Sequence, residues 1–103
     1  MIFWAAGFEW DAGNRAKCQS HGVSIAEIEA LFQNGPRIAP DPKHSKEDRM
    51  IAVGRTRAGR PVFVGFTLRS KEGRRFIRPV TARYMHAKEI VAYEEESAKA
   101  QDG

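Results

Sequence analysis

At 103 residues, 42% hydrophobic and 29% charged, the chain has the size of one small domain and too much apolar content for compositional disorder. Its formal charge is +4, no apolar run approaches the roughly 20 residues of a membrane helix, and a single cysteine, Cys18, excludes an internal disulfide or a cysteine-built zinc site. These features exclude a disulfide-stapled secreted scaffold, a membrane protein and a multi-domain enzyme. The opening segment, Met1 to Gly7, lacks the basic region of a signal peptide, so the expected compartment is the cytoplasm.

Phe8-Glu9-Trp10 alternates apolar and polar residues and predicts a short strand. Asp11 suits a helix N-cap, so a first helix is expected over residues 12–20, closed by His21-Gly22. Ser24 and Glu27 have the spacing of a capping box. They open a second helix to Phe32 or Gln33 whose Ile25, Ile28, Leu31 and Phe32 share one face. Asn34-Gly35-Pro36 breaks that helix, residues 37–39 allow a short strand, and residues 40–48 form a polar loop with two prolines.

Three strands are expected next: Arg49–Thr56, Pro61–Arg69 and Arg74–Tyr84, joined by glycine-containing turns as an antiparallel meander. Pro79 lacks the donor a strand interior needs, and the apolar phase shifts around it. A bulge is expected there. A last helix runs from His86 to about Ala98, with residues 97–103 frayed. The predicted fold class is α+β: an antiparallel meander packed with two N-terminal helices and one C-terminal helix, in a single domain over residues 1–103.

The positive charge is concentrated. Residues 51–90 hold ten Lys and Arg against two Asp and Glu, a local charge of +8, and eight of the ten are arginine: Arg55, Arg57, Arg60, Arg69, Arg74, Arg75, Arg78 and Arg83. A guanidinium fork matches phosphate oxygens and stacks on bases, so an Arg-rich sheet is one footprint of a nucleic-acid binder. A solvated strand face, or a contact for an acidic protein, accounts for the same charge equally well. No metal-ligand spacing, phosphate-binding loop or nucleophile elbow is present, and no cofactor is expected. The inventory of Arg, His, Tyr and carboxylates suits metal-free RNA cleavage. There the substrate's 2′-OH is the nucleophile, and the protein positions the phosphate, moves protons and neutralises developing charge.

Several short segments, in order, resemble one family. Phe8-Glu9-Trp10-Asp11, Asn14, Lys17 and His21-Gly22-Val23-Ser24 are similar to the opening of the BrnT toxins of BrnT/BrnA toxin–antitoxin systems. Pro40-Asp41-Pro42 with His44-Ser45, Glu47 and Arg49 is similar to that family's central loop. Val53-Gly54-Arg55, Gly59-Arg60, Val64 to Thr67, Arg78-Pro79-Val80-Thr81-Ala82-Arg83, Glu89 and Tyr93-Glu94 continue the likeness, which spans about residues 8–94. Three positions depart from the family's pattern: Ser20 where a Lys is usual, Thr81 where a Ser is usual, and Pro79, which interrupts the late strand. Residues 1–7 have no counterpart.

The resemblance implies a RelE-like fold and an endoribonuclease that blocks translation. It also implies neutralisation by a BrnA-type antitoxin with a ribbon-helix-helix domain, and contact with operator DNA only through that complex. On this reading Arg83 and Arg78 hold the scissile phosphate and His21 or Glu9 moves a proton. Arg55, Arg60, Lys17, Thr81 and Tyr84 contact RNA, and no metal takes part. The alternative is a non-catalytic binding module whose basic sheet face takes an acidic partner protein. Plainer roles stand beside these: a helix-end cap for His21, ion pairs for Glu9 and Arg83, packing for Tyr84 and Trp10, and turn chemistry for Asp41, which with His44 is also a candidate substrate contact. Arg78 and Arg83 are five residues apart, which puts them on opposite faces of a regular strand. Only the expected bulge at Pro79 restores a common face.

Overall fold

The structure, a computed structural model, describes the backbone of residues 5–102, and of these the side chains other than those of Ser45 and residues 97–102. The unmatched start, Ile2-Phe3-Trp4, lies outside the described residues. The elements are β1 (Gly7–Phe8), α1 (Ala12–Gln19), α2 (Ile25–Gln33), β2 (Arg37–Pro40), a 3-10 segment (Pro42–Glu47), β3 (Met50–Arg55), β4 (Pro61–Lys71), β5 (Arg74–Tyr84) and α3 (Ala87–Asp102). The strands form one sheet in the order β1-β5-β4-β3-β2. This is the α+β class expected, and no helix among the described residues is long and apolar enough to cross a membrane.

The expected antiparallel meander is present, and the sheet extends beyond it at both edges. β2 to β5 pair antiparallel in succession, but β1 pairs parallel to β5, Gly7 opposite Phe76 and Phe8 opposite Ile77, so the sheet is mixed. The first strand also stops at Phe8, leaving Glu9 and Trp10 beyond it. The second hairpin is tighter than expected. β4 continues to Lys71, and Glu72 and Gly73, with φ of 52° and 77°, make a two-residue turn whose positive dihedrals match the twist of the strands.

The bulge falls where Pro79 predicts it. The register jumps between Gly65, opposite Thr81, and Phe66, opposite Pro79, so Val80 is the extra residue. Arg78, Thr81 and Arg83 therefore share one face of β5, opposite Thr67, Gly65 and Phe63. The other face carries Val62, Val64 and Phe66 of β4 with Ala52, Ile77 and Ala82, all fully buried. α1 and α2 cover this second face with Cys18, Ile28, Leu31 and Phe32. Phe32 stands edge-on to Phe66, ring centroids 5.0 Å apart, and to Phe8 at 5.8 Å. Gly54 leaves room for this packing: a Cβ there would lie 2.5 Å from the Leu31 Cδ1, and the leucine would have to shift.

Both helix starts are capped as their sequences indicate. Asp11 accepts from the Asn14 amide, and Ser24 from the Glu27 amide. Asn14 does more than cap. It is buried, and its side-chain amide donates to the carbonyls of Glu9, at 3.0 Å, and Pro79, at 2.9 Å. β1 accompanies β5 only at Phe76 and Ile77, so the Pro79 carbonyl on that edge has no strand partner, and Asn14 supplies its donor. Asn14→Ala is expected to lower unfolding stability by about 1–3 kcal/mol, the cost of a buried carbonyl left unmet together with a lost cap. Denaturant titration reads this directly, and a loss below a few tenths would contradict the assigned role.

α3 crosses the open face, the one α1 and α2 leave uncovered. Its described side chains reach the sheet through charge: Glu89 to Arg83, Glu94 to Arg55 and Glu96 to Arg37. Its backbone is helical to Asp102. The side chains beyond Glu96, and with them the expectation of fraying there, lie outside the description.

Candidate nucleic-acid interface

The open face gathers guanidinium groups, as its register dictates: Arg37 on β2, Arg55 on β3, Arg69 on β4, and Arg78 and Arg83 on β5. They are not bare. Arg78 donates to Glu9 at 3.2 Å and to Asp11 at 2.8 Å. Arg83 makes a two-pronged contact with Glu89 at 2.6 and 2.8 Å. Arg55 meets Glu94 at 3.0 Å, and Arg37 meets Glu96 at 2.6 Å. Tyr93 sits between the last two, its ring 5.3 Å from the Arg37 guanidinium and 5.7 Å from that of Arg55.

The residues singled out from the sequence fall into separate groups. Arg83, His21, Arg60 and Tyr84 line one cleft of about 350 Å³, together with Met85 and His86. Arg60 stacks over the Tyr84 ring at 3.5 Å, and the Tyr84 hydroxyl donates to the Glu27 carboxylate at 2.9 Å. Burial and that carboxylate hold the Tyr84 hydroxyl above its ordinary pKa. Thr81 lies on the other side of Arg83, in a second cleft. Glu9 and Arg78 form a third group with Asp11, Arg69 and Lys71. Arg55 is occupied by Glu94 and by the Gly59 carbonyl at 2.8 Å. Lys17 is exposed on the last turn of α1 and lines neither cleft.

This arrangement separates the two candidate proton carriers. The hydrogen bond from Lys71, with Arg78 and Arg69 nearby, holds Glu9 below the usual carboxylate range, which makes it a poor base near neutral pH. His21 is exposed and shares a cleft with Arg83. Cys18 is no candidate nucleophile, because burial raises its thiol to about 11.

The second cleft, of about 390 Å³, joins Asp41 and His44, singled out from the sequence, to two cations the sequence reading missed, Lys43 and Arg49. Arg83 and Thr81 form one wall, Phe63 and Ile51 the floor, and Lys43, His44 and Arg49 the facing wall. The 41–49 loop is tied to itself: Asp41 is buried and accepts from the Lys43 amide, while the His44 amide donates to the Asp41 carbonyl. Arg49 lies across Gly65, where a Cβ would stand 3.6 Å from the arginine Cδ. A glycine inside an otherwise β-branched and aromatic strand was the available signal, because it marks a close approach.

Glu89 fixes Arg83 between the clefts. The Arg83 hydrogen bond, and next the His86 amide, lower its carboxyl to about 2. That value is below the unfolded one, so the ion pair's contribution to stability is complete above roughly pH 4.3 and is lost as pH falls toward 2. Thermal melts between pH 5 and 2 should show this loss, and Glu89→Gln should flatten it. An unchanged acid profile in the variant would contradict the assignment.

A family model described as the ribonuclease toxin BrnT of type II toxin–antitoxin systems matches residues 10–89. The chain belongs to that family of ribonuclease toxins, which implies an RNA target and an antitoxin partner. No curated protein matches the chain.

Proposed function

We propose that this chain is a metal-independent endoribonuclease that inhibits translation, with the scissile phosphate held at Arg83. The observation that carries this reading is Arg83 itself, which stands on the open sheet face where two clefts meet, one with His21 and Arg60 and the other with Arg49 and His44. The substrate's 2′-OH attacks the adjacent phosphorus while His21 takes its proton. Arg83 neutralises the charge that grows on the phosphorane oxygens, and the protonated His21 gives its proton to the departing 5′-oxygen. Arg60 and Tyr84 border the same cleft as RNA contacts, with Thr81 across Arg83 from them. Arg78 and Lys17, standing apart from Arg83, guide the strand by charge rather than touch the reacting phosphate.

The remaining parts of the reading concern partners. A BrnA-type antitoxin with a ribbon-helix-helix domain neutralises the toxin, operator DNA is met only through that complex, and the compartment is the cytoplasm. Purified protein should cut RNA in the presence of EDTA, and RNA binding should weaken steeply with salt as cations on the sheet displace counterions. Intact RNA at high protein excess would overturn the enzymatic reading.

One observation favours the second reading, a binding module that cleaves nothing. α3 lays three carboxylates on the basic face, so the face is already shaped to seat an acidic helix. Expression that leaves growth unaffected, from a protein that still copurifies with its antitoxin, would support it.

A further inference from the structure

The cleft walled by the 41–49 loop is not explained by holding the fold together. The Arg49 side chain is only 16% exposed, and among the described residues no acceptor meets its Nε, which is shielded from solvent. Among the described residues its one carboxylate contact is a long one, Nη2 to the exposed Glu47 at 3.4 Å. A buried guanidinium N–H without an acceptor is costly, and an anion in the cleft would give this weakly paired guanidinium a second charged partner. Lys43 and His44 stand beside it as further donors, and the floor of Phe63 and Ile51 is apolar and half-buried.

The geometry points to this cleft as a subsite for the RNA nucleotide adjoining the scissile phosphate, with Arg49 on its phosphate, Lys43 at the rim, and sugar and base over Ile51, beside the Phe63 ring that Arg83 covers. The inference rests on the ribonuclease reading and deepens it, because Arg83 is shared by both clefts. RNA is favoured over an acidic protein segment for a reason of chemistry. The cleft joins clustered cationic donors to an apolar floor, which fits the alternation of phosphate and base along a strand. The cleft's own carboxylates are spoken for: Glu89 faces Arg83, and Asp41 is turned to the Lys43 amide.

The test compares wild type, Arg49→Ala, Arg49→Lys and Lys43→Ala in RNA cleavage and in binding a 2′-O-methyl oligonucleotide, which cannot be cut. Arg49→Ala should raise KM and weaken oligonucleotide binding by about 10- to 100-fold, with kcat changing far less. Arg49→Lys should recover only part of this, because a point charge does not replace the fork. Lys43→Ala changes an exposed rim residue, so it carries the test if Arg49→Ala fails to fold. It should lower the slope of affinity against salt by about one ion. If wild type cuts RNA and these variants match it in KM and binding, the subsite is refuted while the enzyme reading stands. If RNA binding is unchanged and antitoxin binding falls, the cleft's occupant is protein and the inference is overturned. If wild type neither cuts nor binds RNA, the inference falls with the reading beneath it.

Discussion

Arg83→Ala should reduce RNA cleavage by about 100- to 1,000-fold, the loss typical when one preorganised donor to a developing oxyanion is removed. The size of the effect follows from how the side chain is held. Both guanidinium prongs are fixed by Glu89, and the group lies over the Phe63 ring at 4.8 Å. It therefore has little freedom to lose when a phosphorane forms beside it. Arg83→Lys should fall between wild type and the alanine variant, because lysine keeps the charge without the planar fork. Glu89→Gln should leave part of the activity, since the charge on Arg83 remains while its orientation loosens. Initial rates with a labelled RNA separate these variants, and a thermal melt confirms that each is folded. An alanine variant that cuts as fast as wild type would remove Arg83 from the reaction.

Phe66→Ala carries the largest expected cost to stability. Phe66 is fully buried on the helix-covered face, at the register shift opposite Pro79 and edge-on to Phe32. Removing the ring deletes the centre of the contact between α2 and the sheet, and the bulge beneath it limits how far the strands can collapse into the space. The expected loss is about 3–5 kcal/mol. For a domain of this size that is a large part of the total, so the variant should melt far below wild type. Urea titration of wild type and variant at 25 °C gives the difference. A loss under about 1 kcal/mol would mean that the core closes over the gap.

The parts of this fold that were legible in the sequence are those fixed by local chemistry. The capping residues Asp11 and Ser24 set the helix starts, the alternation of Val62, Val64 and Phe66 set the central strand, and Pro79 marked the bulge. The bulge in turn put Arg78 and Arg83 on a common face, which a regular strand would not do. What could not be read depends on contacts between distant segments. Nothing near Gly7 and Phe8 indicates a parallel partner at Phe76 and Ile77, and so the sheet's mixed character was missed. Arginine counts give a basic face but not its partners. That Glu89, Glu94 and Glu96 would turn back onto Arg83, Arg55 and Arg37 depends on the path of α3. The same holds for Arg49, whose position across Gly65 appears only once β3 and β4 are paired.

These pairings also refine how a cradle for RNA would work. The guanidinium groups do share a face, yet the best placed of them are each engaged by a carboxylate. A phosphate approaching Arg83 meets a group already oriented, and it must share or displace Glu89 to reach both prongs. Orientation of this kind lowers the reorganisation needed in the transition state, at the expense of ground-state affinity. The face should therefore bind RNA weakly at moderate salt and still cut it.

The chemistry of the product ends tests the central claim most directly. RNA treated with the purified protein in EDTA should carry 2′,3′-cyclic phosphate at the new 3′ ends and free hydroxyl at the new 5′ ends, because the 2′-OH is the nucleophile. Products bearing 5′-phosphate, or cleavage that stops with EDTA and returns with a divalent cation, would contradict the account.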